Sequence, residues 1–312
     1  MKIFIAGGTG AVGSRLIPQL VAAGHEVTGT SRGVAGAGRI DAVGAHGVVM
    51  DGRDAASIRR AVLDAQPDVV VHQLTSLAEG FDFKRFDEVF AVTDELRTHA
   101  TDALISAAQE VGTGRVIVQS YTGWTNERTG GPVKTEADPL DPHPVPTSAK
   151  SLAAIAHAER AAVDAGGLAL RYGSFYGSGQ SLGEGGEMLE AVRRRQVPIV
   201  GRGTGVWSFC HIDDAVSATI AAVTRGAAGV YNVVDDEPAP VSTWLPELAQ
   251  AVGAKKPLRV PAWIARSVLG EFGVAWMTTA RGSSNAKAKA DLDWAPRFAS
   301  WREGFRTGLG VR

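Results

Sequence analysis

The sequence predicts an α/β protein: a doubly wound parallel sheet followed by a smaller C-terminal α/β region. Three observations carry this. Short β-branched runs alternate with Ala-rich stretches up to about residue 170, the first run opens onto a loop of regularly spaced glycines, and the rhythm then loosens into glycine-rich segments such as "YGSFYGSGQSLGEGG". Unbroken apolar strands joined by helices need cover on both faces, which a parallel sheet between two helical layers supplies.

The first strand, "KIFIA", runs directly into "GGTGAVG", which places Gly7, Gly10 and Gly13 three residues apart at the start of the first helix. Glycine is needed where the chain turns tightly, where backbone approaches a pyrophosphate and where helix packs on strand. With Thr9, Ala11 and Val12 between them, these residues predict a dinucleotide cradle at a helix N-terminus. The second strand, "HEVTGT", is followed by Ser31 and Arg32, with no acid between Val27 and Gly33. An NAD site usually carries a carboxylate there for the ribose 2′-hydroxyl. A guanidinium suits a 2′-phosphate instead, so NADP(H) is favoured, with NAD(H) the alternative.

The third strand, "GVVM", leads to Asp51 and Gly52, where the aspartate either accepts from the adenine amino group or caps the next helix. The fourth, "DVVVHQL", puts Gln73, Leu74 and Thr75 at the carboxyl edge of the sheet, where open α/β folds bind ligands, and leaves His72 as a packed strand residue. The fifth is "GRVIVQS", and helices are expected after Gly13, Ala55, Phe86 and Thr147.

A chain of 312 residues, 45% hydrophobic, can bury a full core. Its 32 basic and 33 acidic residues are interspersed and sum to −1, which argues against nucleic-acid or anionic-membrane partners. The single cysteine, Cys210, excludes an internal disulfide and reads as a buried small hydrophobe, and no leader or membrane span is legible. A cytoplasmic protein acting on a small molecule is expected. Six of the seven tryptophans, Trp207, Trp244, Trp263, Trp276, Trp294 and Trp301, lie in the last third or so and serve mainly as core.

The glycine loop, the strand ending at Ser120, "LRYGSFYGSG" from Leu170, "FCHIDDAVSATIAAV" from Phe209, "GVYNVVDDEP" from Gly229 and "NAKAKADLDWAP" from Asn285 together resemble the extended short-chain dehydrogenase/reductase family, of the NAD(P)-dependent epimerase/dehydratase type. The resemblance spans nearly the whole chain. It implies a Rossmann-type domain over residues 1–170, with 205–235 contributing, and a substrate-binding cap made mainly of 171–312. Substrate would lie in the cleft between them, and a homodimer is possible.

In that family a serine orients the substrate, a tyrosine transfers the proton, and a lysine holds the nicotinamide ribose. Ser120 and Lys150 match the serine and the lysine, but Pro146 stands in the tyrosine's place, and "ELRTHATDAL" lacks the family's usual asparagine. Proline belongs in a helix's first turn, so the helix carrying Lys150 must start near it. The proton would then come from Tyr121, from Tyr172 or Tyr176 in the loop that covers the nicotinamide in relatives, or from a water. Tyr172 is also a cofactor-binding candidate. Trp124, Tyr176 and Trp207 are candidates for lining the substrate pocket. Arg281 would hold an anionic substrate group, as an arginine does in some sugar-nucleotide relatives. Asp213 reads as the cap of the helix after "FCHI", with His211 fixing the strand end. No metal-ligand spacing or nucleophile elbow is present.

The leading expectation is an NADP(H)-dependent oxidoreductase that moves hydride between nicotinamide and a small carbonyl- or alcohol-type substrate, with a non-standard proton donor. The alternatives are an NAD-dependent sugar-nucleotide epimerase or dehydratase and a catalytically silent dinucleotide sensor.

Overall fold

The computed structural model describes residues 1–76 and 83–310. The first half follows the expected alternation: β1 (Lys2–Ala6), α1 (Gly13–Ala22), β2 (Glu26–Ser31), α2 (Val34–Asp41), β3 (His46–Val49), α3 (Ala55–Ala65), β4 (Val69–His72), α4 (Phe86–Glu95), α5 (Thr101–Glu110) and β5 (Arg115–Tyr121). After β6 (Val133–Lys134), a single turn at Pro146–Ser148 leads into α6 (Ala149–Asp164) and β7 (Leu168–Tyr172). The helix therefore begins where proline is tolerated.

The chain then leaves the sheet through β8 (Ser174–Tyr176), α7 (Glu187–Arg193), β9 (Ile199–Val200), β10 (Val206–Trp207), β11 (Phe209–His211) and α8 (Ile212–Thr224), and returns as β12 (Gly229–Val233). It ends with β13 (Ala239–Pro240), α9 (Val241–Ala251), β14 (Arg259–Val260), α10 (Ala262–Thr278), β15 (Gly282–Ser283), α11 (Ala286–Asp291) and α12 (Trp301–Thr307).

Seven strands form the central sheet in the order β12-β7-β5-β4-β1-β2-β3, every pair parallel. Strand alternation divides its side chains between two cores. Ile3, Ile5, Val69 and Val71 pack with Leu16, Ile17 and the α8 residues Ala215 and Val216. Phe4, Ala6 and Val70 pack on the other face with Ile58, Leu104 and Ala158.

Residues after β7 build a third core around Trp207, Phe209, Trp244, Leu245, Trp301 and Phe305. The late tryptophans are mostly core, as expected, with Trp244 and Trp301 fully buried; Trp263 is the exception, 76% exposed. The ladders here are two-stranded: β8 with β11, β9 with β14, β10 with β13, and β6 with β15. No helix among the described residues is long and apolar enough to cross a membrane.

Candidate active site

The glycine loop is a cradle that side chains would fill. Gly7 has φ +94°, and a Cβ there would lie 2.7 Å from the Gln73 carbonyl oxygen; one on Gly13 would lie 2.2 Å from that of Gly7. The loop is held to β2 because the Gly7 and Gly8 amides donate to the Thr30 hydroxyl (3.1 Å) and carbonyl (2.8 Å). The N–H groups of Ala11, Val12 and Gly13 have no hydrogen-bond partner among the described residues. Unspent donors at the positive end of α1 suit a pyrophosphate, so these residues fit a dinucleotide. Arg15, one turn into α1, ties this corner to the loop after β8 by donating to Ala11 O (3.0 Å) and Ser178 O (2.5 Å). Its Nε lies 3.5 Å from Asp213.

At the adenosine end, Ser31 is packed so closely against α2 that a Cβ on Gly36 would lie 1.9 Å from its hydroxyl. Arg32 is exposed and has no ion-pair partner among the described residues. The Asp51 carboxylate accepts from the Arg53 amide at 2.9 Å, while the α3 cap is Asp54, which accepts from Ala56 N. The capping alternative for Asp51 therefore fails, because a neighbouring aspartate fills that role. Gly52 lies under Leu74, whose Cδ1 would be 2.8 Å from a Cβ at that position.

The carboxyl edge corrects three sequence expectations. Ser120 does not face the cleft: its hydroxyl donates to Glu159 on α6 at 2.5 Å, beneath the sheet. Period-two alternation gives the opposite face to Tyr121. There its half-buried ring stacks 6.2 Å from Trp124, and its hydroxyl shares a 3.0 Å hydrogen bond with Ser174. Burial pushes the Tyr121 phenol up to about 12. Tyr172, expected at the cofactor, is a core residue 2% exposed, and its hydroxyl is spent on the Gln73 amide (3.0 Å) and Thr219 (2.8 Å). Tyr176, expected at the substrate, is fully enclosed in the third core against His211 and Phe305.

Thr75 lies exposed beyond Gln73 and Leu74, at the strand end where it was expected. Lys150 is also exposed; its backbone amide and that of Ser151 donate to the Asp87 carboxylate, which caps α6 from the neighbouring helix. Its ammonium carries no ion pair among the described residues.

Beneath the edge lies a charge network that the sequence reading missed. Glu159 takes both arms of Arg171 at 2.7 Å, each side chain 6% exposed. Two helix turns away, Ser151 donates to Asp94 at 2.6 Å, and Asp94 pairs with Arg97 at 3.3 Å. Burial raises the Asp94 carboxyl and lowers the Arg97 guanidinium relative to their ordinary values. The available signal was a charge in an apolar setting: Arg171 interrupts "LALRY", and Glu159 sits in "AAIAHAE".

Next to Tyr121 a small, partly open pocket lies between the 124–148 segment and α10, lined by Trp124, Val145, Phe272 and Trp276, with Arg128 and Asp141 at one side. Trp124 thus lies where it was expected. Trp207 does not: it is 4% exposed and stacks behind Trp276 at 4.4 Å. Arg281 follows the lining residue Ala280, its Nε enclosed without a partner among the described residues. His211, not Asp213, caps α8, since its Nδ1 accepts from the Asp213 amide at 3.2 Å. No cluster of three metal-ligating side chains occurs among the described residues.

Comparison with known proteins agrees with this geometry. Residues 3–234 match the NAD dependent epimerase/dehydratase family. A 3-diazoavenalumate denitrifying reductase from Streptomyces sp is 41% identical over 309 residues, covering 97% of this chain and 99% of the relative. A 4-hydroxy-2-methyl-3-oxo-4-farnesyl-3,4-dihydroquinoline-1-oxide ketoreductase from Stigmatella aurantiaca is 26% identical, covering 87% and 80%. UDP-glucose 4-epimerase from Thermus thermophilus, in complex with NAD, shares the fold with TM-score 0.72 at 22% identity, over 99% of this chain and 98% of that one. A dTDP-glucose 4,6-dehydratase from Streptomyces venezuelae does so with TM-score 0.75 at 21% identity, over 99% and 96%. The chain belongs to the NAD dependent epimerase/dehydratase family, as a nicotinamide-dinucleotide-dependent oxidoreductase whose tyrosine position is filled by Pro146.

Proposed function

We propose that the protein is an NADPH-dependent reductase whose hydride acceptor needs no proton from a tuned tyrosine. The observation that carries this reading is the state of the acid positions. Pro146 has no proton to give, and Tyr121 is bonded to Ser174 and pushed up to about 12. General acids work best with pKa values near the operating pH, so Tyr121 serves as a neutral hydrogen-bond donor that orients the substrate.

A bound nicotinamide dinucleotide supplies the hydride. The chain's own residues hold it: the Gly7–Gly13 cradle at the pyrophosphate, Arg32 at a 2′-phosphate, and Lys150 at the ribose. The segment after β7 closes over the substrate as a cap. The name of the 41% identical relative, a denitrifying reductase of a diazo compound, points to a matching reaction. When hydride replaces a diazonium group, the carbon–nitrogen bond breaks, dinitrogen leaves with its electron pair, and the new carbon–hydrogen bond needs no protein acid. A sugar-nucleotide epimerase relies on the missing tyrosine and has less support.

The test is NADPH oxidation with an aryl diazonium panel alongside a ketone and aldehyde panel, with dinitrogen release followed in parallel. Turnover of the diazo compounds with stoichiometric dinitrogen supports the reading; exclusive carbonyl turnover, or retained NAD that cycles on a sugar nucleotide, overturns it. Arg32→Ala is expected to lower the NADPH/NADH preference about 10- to 100-fold, from the loss of charge-assisted bonds worth roughly 1.5–3 kcal/mol. Affinities of the two cofactors measured on both proteins check this.

A further inference from the structure

The balance of charge that argues against an anionic-membrane partner holds for the sequence as a whole and not for the folded surface. No acid occurs between Glu190 and Asp213, nor between Glu247 and Glu271, while the first stretch carries four arginines and the second two lysines and two arginines. The β9–β14 ladder brings these stretches together, setting Ile199 beside Arg259 and Val200 beside Val260. Arg195 Nε donates across to Lys256 O at 2.8 Å. Arg193 is neutralised by Glu184 and Glu190. The other cations, Arg194, Arg195 and Arg202 on one side and Lys255, Lys256, Arg259 and Arg266 on the other, are exposed, and none has an ion-pair partner among the described residues.

The ladder leads directly into α10, whose first two turns are apolar on the outside. Trp263 is 76% and Val268 69% exposed, and Ile264, one turn before Val268, and Leu258, just before β14, are exposed as well. Four of the ten exposed large apolar side chains among the described residues thus fall between Leu258 and Val268. Single exposed apolar residues are ordinary, but a cluster rimmed by charge marks a contact surface. α10 turns inward only at Gly270, where φ is +68°, and Phe272, Val274 and Met277 beyond it are buried. Glycine tolerates this left-handed backbone at no steric cost.

Charge complementarity selects the occupant. A second copy docked about a two-fold axis would set these cations against themselves, since such an interface meets its own patch. A nucleic acid would pair with the cations but leave Ile264, Val268 and Leu258 in water, having only base faces to offer Trp263. An anionic bilayer satisfies both parts, because its phosphates meet lysine and arginine while tryptophan and aliphatic side chains enter the boundary below the headgroups. We propose that the β9–β14 ladder and the first two turns of α10 dock on an anionic lipid surface, with Trp263, Ile264 and Val268 inserted and the surrounding cations on lipid phosphates. The docking is peripheral and does not depend on the reductase reading.

The experiment is co-sedimentation of the intact protein with phosphatidylcholine vesicles, with and without about a third phosphatidylglycerol. Binding is expected to the anionic vesicles alone, and to fall at least about tenfold from about 0.1 to about 0.5 M NaCl as screening shortens the reach of each charge. Trp263→Ser should weaken it about tenfold by removing the inserted ring. Lys255→Glu with Lys256→Glu should weaken it about 100-fold, since one basic residue near such a surface is worth about fivefold and reversal adds repulsion. All three positions are exposed, so both variants should keep the parent's thermal unfolding midpoint. Val268→Ser and Arg266→Glu repeat the two tests at independent positions, so the outcome does not hang on the folding of one variant. No binding to either vesicle, equal binding to neutral vesicles, or binding untouched by every variant overturns the proposal. So does tighter binding to a DNA duplex than to the vesicles, or a dimer in sedimentation equilibrium that Trp263→Ser abolishes.

Discussion

Ser120 and Tyr121 are chain neighbours with opposite duties. Ser120 completes a buried carboxylate's hydrogen bonds, while Tyr121 stands at the sheet edge beside Trp124. Ser120→Ala should therefore leave kcat within a few-fold of the parent, whereas Tyr121→Phe should mainly raise KM by losing an orienting hydrogen bond, on the order of 1 kcal/mol or about fivefold. With the phenol pushed up to about 12, kcat should show no inflection from Tyr121 between about pH 6 and 10. Steady-state kinetics on an accepted substrate reads both. Glu159→Gln tests the pair below: removing one charge of a buried pair strands the other, so the variant should lose about 3–5 kcal/mol in denaturant unfolding. The serine's position in the motif was legible in the sequence, but its direction was not. Direction depends on where the strand stops, and β5 runs one residue further than "GRVIVQS".

Elements differed in legibility for a physical reason. The central strands are unbroken apolar runs buried on both faces, so composition alone marks them. The two-stranded ladders beyond β7 pair residues far apart in sequence, such as Val133 with Gly282 and Ile199 with Arg259, and no local pattern records such a meeting. The wide π turn at Leu96–Ala100 that joins α4 to α5 was equally hidden. His72 Nε2 lies 3.2 Å from Leu96 O there, and its Nδ1 accepts from the Leu74 amide at 3.1 Å, a neutral imidazole joining strand and turn. Burial lowers His72 to about 4. Its folded pKa lies below the unfolded value near 6.5, so the stability it supplies is complete above that pH. That stability, about 3 kcal/mol at most, is lost as pH falls from 6.5 toward 4. His72→Gln should flatten this part of the stability-versus-pH curve, measured by urea unfolding at several pH values.

At the scale of the molecule, the family motifs announced the parallel sheet, and the glycine loop opens α1 directly after β1 as the sequence predicts. The pocket beside Tyr121 did not announce itself, because Trp124 and Phe272 are far apart in the chain and meet only when α10 folds back on the 124–148 segment. The last strand of the sheet also comes late. β12 pairs with β7 only after the chain has made the whole excursion from Ser174 to Ala228. Residues 1–172 alone would end on a bare, largely apolar β7 edge, which invites aggregation. That fragment should be insoluble, whereas residues 1–312 are recovered folded; comparing the two after expression decides it. During synthesis, then, the central sheet cannot close until residue 233 has left the ribosome, and the third core, which needs Trp244 and Trp301, closes later still.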